Sequence, residues 1–276
     1  MPVTPKYETI LYKAEDGIAT ITLNRPKAMN TINFAMMDEL PDALGRAEAD
    51  RGVNVVVLTH NGANWGAGYD PKENWSEKHG GDEGVLGARN MLRACVAFEY
   101  GPWDCEKPVI AMVRGYCLAG SCELAMMACV TFASDTARFG EPEIRFSTAP
   151  PMVVMPWTIG LKKSRELLYT GDYIDAEEAF RLGMVNRVYP DADLEAETYR
   201  YARRCAAISQ EGLKTTKAAI NRGAEAAGFR QAMEIGIDLG AMLDATPTEV
   251  YTTFKEITEK EGLGAALRWR ESQFED

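Results

Sequence analysis

The sequence predicts an α/β fold, with stacked β-β-α units over residues 1–195 and an all-helical region over residues 196–276. Three observations carry this prediction. "VNVVVLT" (53–59) is a short, nearly continuous apolar run that reads as a strand buried on both faces, and "KPVIAMV" (107–113) and "CVTFAS" (129–134) read as further strands. The first two are followed by glycine-bearing loops, "HNGANWGAGYD" and "GYCLAGSCE", and by segments with helical character. From Leu161 onward the pattern is helical apart from a short "VNRVYP", with long segments near 192–208, 210–227, 229–244 and 247–261.

Taken in order, Tyr7–Lys13 and Ile18–Asn24 are β-rich runs separated by "AEDG", which predicts a hairpin. Phe34–Ala49 has helical periodicity, and Pro41 within it predicts a kink. Residues 72–90 are polar and glycine-bearing, an excursion from the core, and a helix covers Val85–Phe98. The strand at 108–113 leads through a turn to a helix from Ser121, and "ARFGEPEIRF" (137–146) follows the next strand. The repetition of strand, glycine loop, helix and strand is a weak internal repeat without strict period. "KKSRELLYTG" ends at a Gly171 stop; "DAEEAFRLG" runs from an Asp175 cap to Gly183. The shift near residue 195 marks the only candidate boundary.

Composition excludes several classes. A chain of 276 residues with 46% apolar and 26% charged residues can bury a full core without disulfide or metal staples. The net charge of −11 argues against binding to nucleic acid or an anionic membrane. The cysteines Cys95, Cys105, Cys117, Cys122, Cys129 and Cys205 form no CxxC pair and read as small hydrophobes. The N-terminal stretch has no apolar signal core, and no apolar run approaches ~20 residues, so a cytoplasmic location is expected.

The chemistry concentrates in two loops and two carboxylates. "WGAGYD" (65–70) and "LAGSCE" (118–123) could each offer a backbone N–H to a carbonyl gaining negative charge, an oxyanion hole; the alternative is two tight turns. Glu123 stands at the head of an apolar helix, and Glu143 follows the next strand, so both could meet at one end of the unit. Two desolvated carboxyls suit general acid–base work. Taken singly, Glu123 could be a helix-start residue and Glu143 a surface neighbour of Glu141. His60 and His79 read as structural or solvated; Ser121 lacks the flanking glycines of a nucleophile elbow; no phosphate-loop, dinucleotide or metal motif is present.

These residues resemble the crotonase (enoyl-CoA hydratase/isomerase) superfamily, through "GIATITLNRPKAMNTINFAMMDEL", "VVVLTHNGANWGAGYDPKE", "KPVIAMVRGYCLAGSCELAMMACVTFASDTARFGEPEI" and "LLYTGDYIDAEEAFRLGMVNRVYP". The resemblance implies a crotonase (ClpP-like) spiral of β-β-α units with a C-terminal all-helical oligomerisation region, in a homotrimer or dimer of trimers. It implies an enoyl-CoA hydratase acting on an acyl-CoA thioester, with no metal or redox cofactor. The N–H groups of Tyr69 and Gly120 would form the oxyanion hole; Glu123 would deprotonate water for attack at C3 and Glu143 would deliver a proton to C2. Lys27, Ala28, Met29, Ala67, Tyr69, Asp70, Pro71 and Lys72 match the coenzyme A site, while Met152, Val153 and Trp157 would shape the acyl pocket. Other implied possibilities are isomerase, lyase or thioester hydrolase chemistry, or a silent CoA-binding protein. Three positions depart from the family pattern: Tyr69 replaces a small residue or Met, Cys129 an Asp, and Ser147 a Gly that precedes a missing glycine-rich run.

Overall fold

The computed structural model describes residues 6–78 and 84–274. The hairpin pairs β1 (Ile10–Glu15) antiparallel with β2 (Ile18–Leu23), ending on the Glu15–Ile18 pair. Asp16 and Gly17 turn the chain at φ of 51° and 80°, the left-handed pair that Asp-Gly adopts with little strain. The loop is thus two residues long, and β1 extends beyond Lys13. At the other end, the N–H groups of Glu8 and Thr9 bond the Glu39 carboxylate instead of joining the ladder, so β1 starts later than predicted.

Next come α1 (Phe34–Ala49), capped by Asn33 accepting from Met36 N–H at 3.0 Å, and β3 (Val55–His60), buried throughout. Pro41 lies within α1, and the helix continues past it. The chain continues through α2 (Trp75–Lys78), α3 (Val85–Glu99), α4 (Gly101–Asp104), β4 (Val109–Val113), β5 (Tyr116–Leu118), α5 (Gly120–Met126), β6 (Val130–Ser134) and β7 (Arg138–Gly140). A 3-10 turn (Pro142–Phe146) leads to α6 (Met155–Ile159), α7 (Leu161–Thr170), β8 (Ile174–Asp175), α8 (Ala176–Leu182) and β9 (Arg187–Tyr189). The helices α9 (Asp191–Ala206), α10 (Gln210–Ala226), α11 (Phe229–Asp244), α12 (Glu249–Glu261) and α13 (Leu263–Glu271) complete it. The sequence reading had no counterpart for α13. His79 lies outside the described residues.

Two sheets organise these elements. The larger has the order β1-β2-β3-β4-β6-β9, parallel from β2 onward; the smaller has the order β5-β7-β8. The chain passes from β4 in the large sheet to β5 in the small one, and then repeats the step from β6 to β7. That is the predicted stacking of β-β-α units. The first step turns at Gly115, φ 64°, where a Cβ would lie 2.0 Å from the Ala63 carbonyl oxygen, so no side chain fits.

One face of the large sheet packs on α1, α5 and α8 in the main core, with Ile21, Leu58 and Val113 meeting Met36, Leu40, Leu124 and Ala179. The opposite face, with Val55, Val57, Ile110, Met112 and Phe132, is covered by Leu194 and Ala202 of α9. The expected boundary at 195/196 falls inside α9, whose apolar face belongs to the sheet. The change of composition there marks a change of secondary structure, and α9 packs its apolar face on the sheet.

Candidate active site

The two glycine loops are joined backbone to backbone. Trp65 N–H donates to Arg114 O at 3.0 Å, Gly66 N–H to Tyr116 O at 3.0 Å, and Leu118 N–H to Gly66 O at 2.9 Å. Ser121 closes the seam: its Oγ accepts from Gly68 N–H at 3.1 Å, and its carbonyl from the Trp65 indole at 2.9 Å. A Cβ on Gly66 would sit 2.4 Å from Ser121 Oγ, and one on Gly68 2.6 Å from Ala119 Cβ. Glycine is therefore required at both positions by close approach. Ile32 donates to Gly68 O and accepts from Asp70 N–H, passing over Tyr69, whose own N–H donates to no acceptor among the described residues. The Gly120 N–H is likewise without an acceptor among them, since it opens α5 and has no intrahelical partner. Ala119, just before it, holds φ 55° and ψ −142°, a conformation suited to glycine. The Tyr69 ring lies so close to Gly120 that a Cβ there would be 2.5 Å from Cε2.

Glu123 lies in the first turn of α5 with no exposed surface. Its Oε1 accepts from Met152 N–H at 3.0 Å, and its Oε2 has no hydrogen-bond partner. Glu143 sits half-buried in the 3-10 turn, with Oε2 also unpartnered. That turn is fastened by the buried Arg145, which donates to Thr170 O at 2.8 Å and to Asp172 at 2.6 Å. Burial pushes the Glu143 carboxyl up to about 7. Glu123 is raised well above the usual carboxyl range, by burial first and then by Glu99, Glu141 and Glu143 nearby. The structure thus brings the two predicted carboxyls into one electrostatic neighbourhood beside the loop seam.

Two further carboxyls stand there that the sequence reading passed over. Glu99, the last residue of α3, is fully buried; its Oε1 accepts from the Tyr69 hydroxyl at 2.7 Å, and its Oε2 is unpartnered. Desolvation pushes it up to about 8. A signal existed: Glu99 follows Leu92 by seven residues and Cys95 by four, on the face of α3 that is buried. Glu141 is only 2% exposed, and neither of its carboxyl oxygens has a partner among the described residues. Burial holds it well above the ordinary carboxyl range.

The remaining predicted residues divide. Met152 is fully buried and reaches Glu123 through its backbone. Val153 packs on Gly236 of α11, while Trp157, 43% exposed, meets Phe229 of α11 edge-on, with ring centres 5.3 Å apart. Lys27, Met29, Pro71 and Lys72 are exposed, and Ala28 and Ala67 are half-buried. Asp70, within the segment matched to the coenzyme A site, is buried. Its carboxylate is engaged by Arg25 at 2.8 Å and by Lys72 N–H at 3.0 Å, clipping the 25–31 loop to the 69–75 loop. His60 is buried; burial first, then the Arg114 charge, lower it to about 4, so it is a neutral core residue that accepts from Arg114 N–H. Among the described residues no group of three or more His, Cys, Asp or Glu is arranged to hold a metal ion.

The sequence profile of the family described as Enoyl-CoA hydratase/isomerase matches residues 13–264. A crotonyl-CoA hydratase of Syntrophomonas wolfei is 34% identical over 274 residues, covering 97% of this chain and 98% of that protein. The mitochondrial enoyl-CoA hydratase of Pongo abelii is 32% identical over 268 residues, 94% of this chain and 84% of that one. Among solved structures, an enoyl-CoA hydratase/isomerase from Xanthobacter autotrophicus Py2 superposes with a TM-score of 0.93 at 37% identity, over 98% of this chain and 100% of that chain.

Proposed function

The chain belongs to the enoyl-CoA hydratase/isomerase family, and from that premise we propose that it is an enoyl-CoA hydratase, adding water across the 2,3 double bond of an acyl-CoA thioester. One observation carries the reading: two desolvated carboxyls, Glu123 and Glu143, lie beside a seam where the Tyr69 and Gly120 N–H groups have no acceptor among the described residues. In this scheme the thioester oxygen takes hydrogen bonds from those two N–H groups. Glu123, in its carboxylate form, removes a proton from water as its oxygen bonds to C3. The double-bond electrons move toward the thioester, forming an enolate that the N–H pair stabilises. Glu143, protonated below about pH 7, gives its proton to C2. The starting state returns when the proton taken up by Glu123 is released and Glu143 regains one, through solvent or a second water; addition of water changes no oxidation state, so the scheme calls for no metal or redox cofactor.

Exposed Lys27 and Lys72 stand on the two loops that Arg25 and Asp70 clip together, and they supply the positive charge for the coenzyme A phosphates. Met152 and Val153 give the acyl group an apolar boundary. The proposed assembly is a homotrimer or dimer of trimers, supported by exposed apolar residues Ile235, Leu239 and Met242 on α11. The proposed compartment is the cytoplasm, which suits six cysteines that are all free; among the described residues no helix is long and apolar enough to cross a membrane.

The test is hydration of crotonyl-CoA and of longer and aromatic enoyl-CoAs. The wild type should hydrate at least one of them, and Glu123→Gln and Glu143→Gln should each lower kcat by roughly 10²–10⁴-fold. A wild type that leaves the whole panel unchanged overturns the reading.

A further inference from the structure

Of the two proposed catalytic carboxyls, Glu143 is the less firmly held. Glu123 stands on α5 with Oε1 accepting from Met152 N–H at 3.0 Å, whereas Glu143 rides on a five-residue 3-10 turn and its Oε2 has no partner among the described residues. Such turns are short and their hydrogen bonds poorly aligned, so they hold a shape weakly by themselves. Ser147 follows this one at φ 59°, where the family pattern has glycine and then a glycine-rich run that this chain lacks. The aim of Glu143 therefore depends on what grips the turn.

The turn is gripped from two sides. On one, the buried Arg145 donates from Nε to Thr170 O at 2.8 Å and from Nη2 to Asp172 at 2.6 Å. Gly171, at φ 69°, makes room for it: a Cβ there would lie 3.0 Å from Arg145 Cγ and 3.1 Å from Pro142 Cα. On the other side, Arg270 of α13 donates from Nε to the Arg145 carbonyl, in the turn itself, and Glu271 lies 3.4 Å from Arg145 Nη1. The Phe274 ring faces both cations, its centre 4.2 Å from Arg145 Cζ and 4.6 Å from Arg270 Cζ. With Asp172 and Glu271, the ring lets two like charges sit side by side. Arg270, Glu271 and Phe274 lie beyond the 13–264 span that the family profile matches, so the family pattern does not assign this clamp.

We propose that Arg270 and Phe274 are positioning residues for hydration: acting through Arg145, they hold the 3-10 turn so that the Glu143 carboxyl faces C2 of the acyl group. Both act through the turn rather than on the substrate. Arg270 fixes the backbone of the turn, and Phe274 keeps the guanidinium groups of Arg270 and Arg145 in place against each other. Loss of either frees the turn, and the proton then comes from a carboxyl that is aimed correctly for only part of the time. Binding of the thioester, through the N–H pair and the lysine-bearing loops, is left intact, so kcat falls while KM changes little. The proposal rests on the reading of Glu143 as the acid, and its test separates the two.

The test is a double-mutant cycle on the enoyl-CoA that the wild type hydrates best. Values of kcat and KM are measured for wild type, Arg270→Leu, Phe274→Ala, Phe274→Tyr and Glu143→Gln, and for the first two changes combined with Glu143→Gln. Arg270→Leu and Phe274→Ala should each lower kcat by roughly 10–10²-fold, the scale of a small misplacement of a reacting group, with KM within about threefold of wild type. Phe274→Tyr keeps the ring against both cations and should stay within about twofold. Once Glu143 is Gln there is no acid left to aim, so the same two changes should then alter kcat by less than about twofold. Equal losses in both backgrounds overturn the proposal, because the residues would then be acting on the fold at large. An unchanged kcat in both single variants overturns it as well. Should Arg270→Leu fail to fold, Phe274→Ala decides, since that side chain is 41% exposed. Full activity in Glu143→Gln defeats the acid assignment, and the proposal with it, whatever the clamp variants do.

Discussion

Three side chains show how individual residues are bent to the site. Ala119 holds a backbone conformation that glycine adopts freely, and it does so one residue before the Gly120 N–H. Ser147 caps the turn carrying Glu143 at φ 59°, at the position where the family pattern has glycine. Strain of this kind costs about 1–3 kcal/mol at Ala119, partly offset by the greater unfolded-state entropy of glycine. Ala119→Gly should therefore raise stability by roughly 1 kcal/mol in urea unfolding, without lowering hydratase activity more than a few-fold. Tyr69 spans two tasks: its backbone faces the seam, and its hydroxyl, held protonated by burial, donates to Glu99.

Elements place the site by clips between loops rather than by the sheets alone. The Arg25–Asp70 ion pair ties the loop after β2 to the loop after β3, and Asn30, buried, bonds the Asn61 and Asn64 carbonyls across the same gap. Arg25→Met leaves Asp70 buried and without its cation, and should lower stability by roughly 2–4 kcal/mol. Both lysines proposed for the coenzyme A phosphates ride on these loops, so the same variant should raise KM for the thioester more than it lowers kcat. An unchanged KM would show that the clip does not shape that site. The 3-10 turn is fastened in the same manner, by Arg145 to Asp172 and to Glu271 of α13, and Arg270 of α13 donates to the Arg145 carbonyl. The C-terminal helix thereby supports Glu143 from outside the core.

Across the whole molecule, the buried carboxyls predict how stability depends on pH. Their folded-state values lie above the usual 4.5, reaching about 7 for Glu143 and about 8 for Glu99, so the folded protein binds more protons than the unfolded chain. Stability then falls as pH rises from the unfolded value through the folded one, by up to about 1.4 kcal/mol per pH unit per group. His60, lowered to about 4, opposes this between that value and its ordinary 6.5. Above about pH 6.5 the carboxyls act unopposed. Urea unfolding should show stability declining from pH 6.5 to 8, and Glu141→Gln should make that decline shallower. A flat profile in the wild type would contradict the burial of these groups.

What was legible in the sequence was local. The strands at β3, β4 and β6 follow from apolar runs, the hairpin from Asp16-Gly17, and the capped α8 from Asp175 and Gly183, because periodicity and turn chemistry act over a few residues. Glu123 and Glu143 stood out because each interrupts or follows such a pattern. The spacing of Glu99 from Leu92 and Cys95 marks it only as a member of the buried face of α3, and Glu141 carries no such mark, since nothing within a few positions shows that α3 ends against the Gly120 turn or that β7 delivers Glu141 inward. The role of Asp70 also depended on Arg25, 45 residues away. The sequence by itself determined the β-β-α units and the family-like loops. Only the tertiary structure decided which carboxyls lose their water and which share a neighbourhood, because desolvation and charge coupling depend on distance in space rather than along the chain.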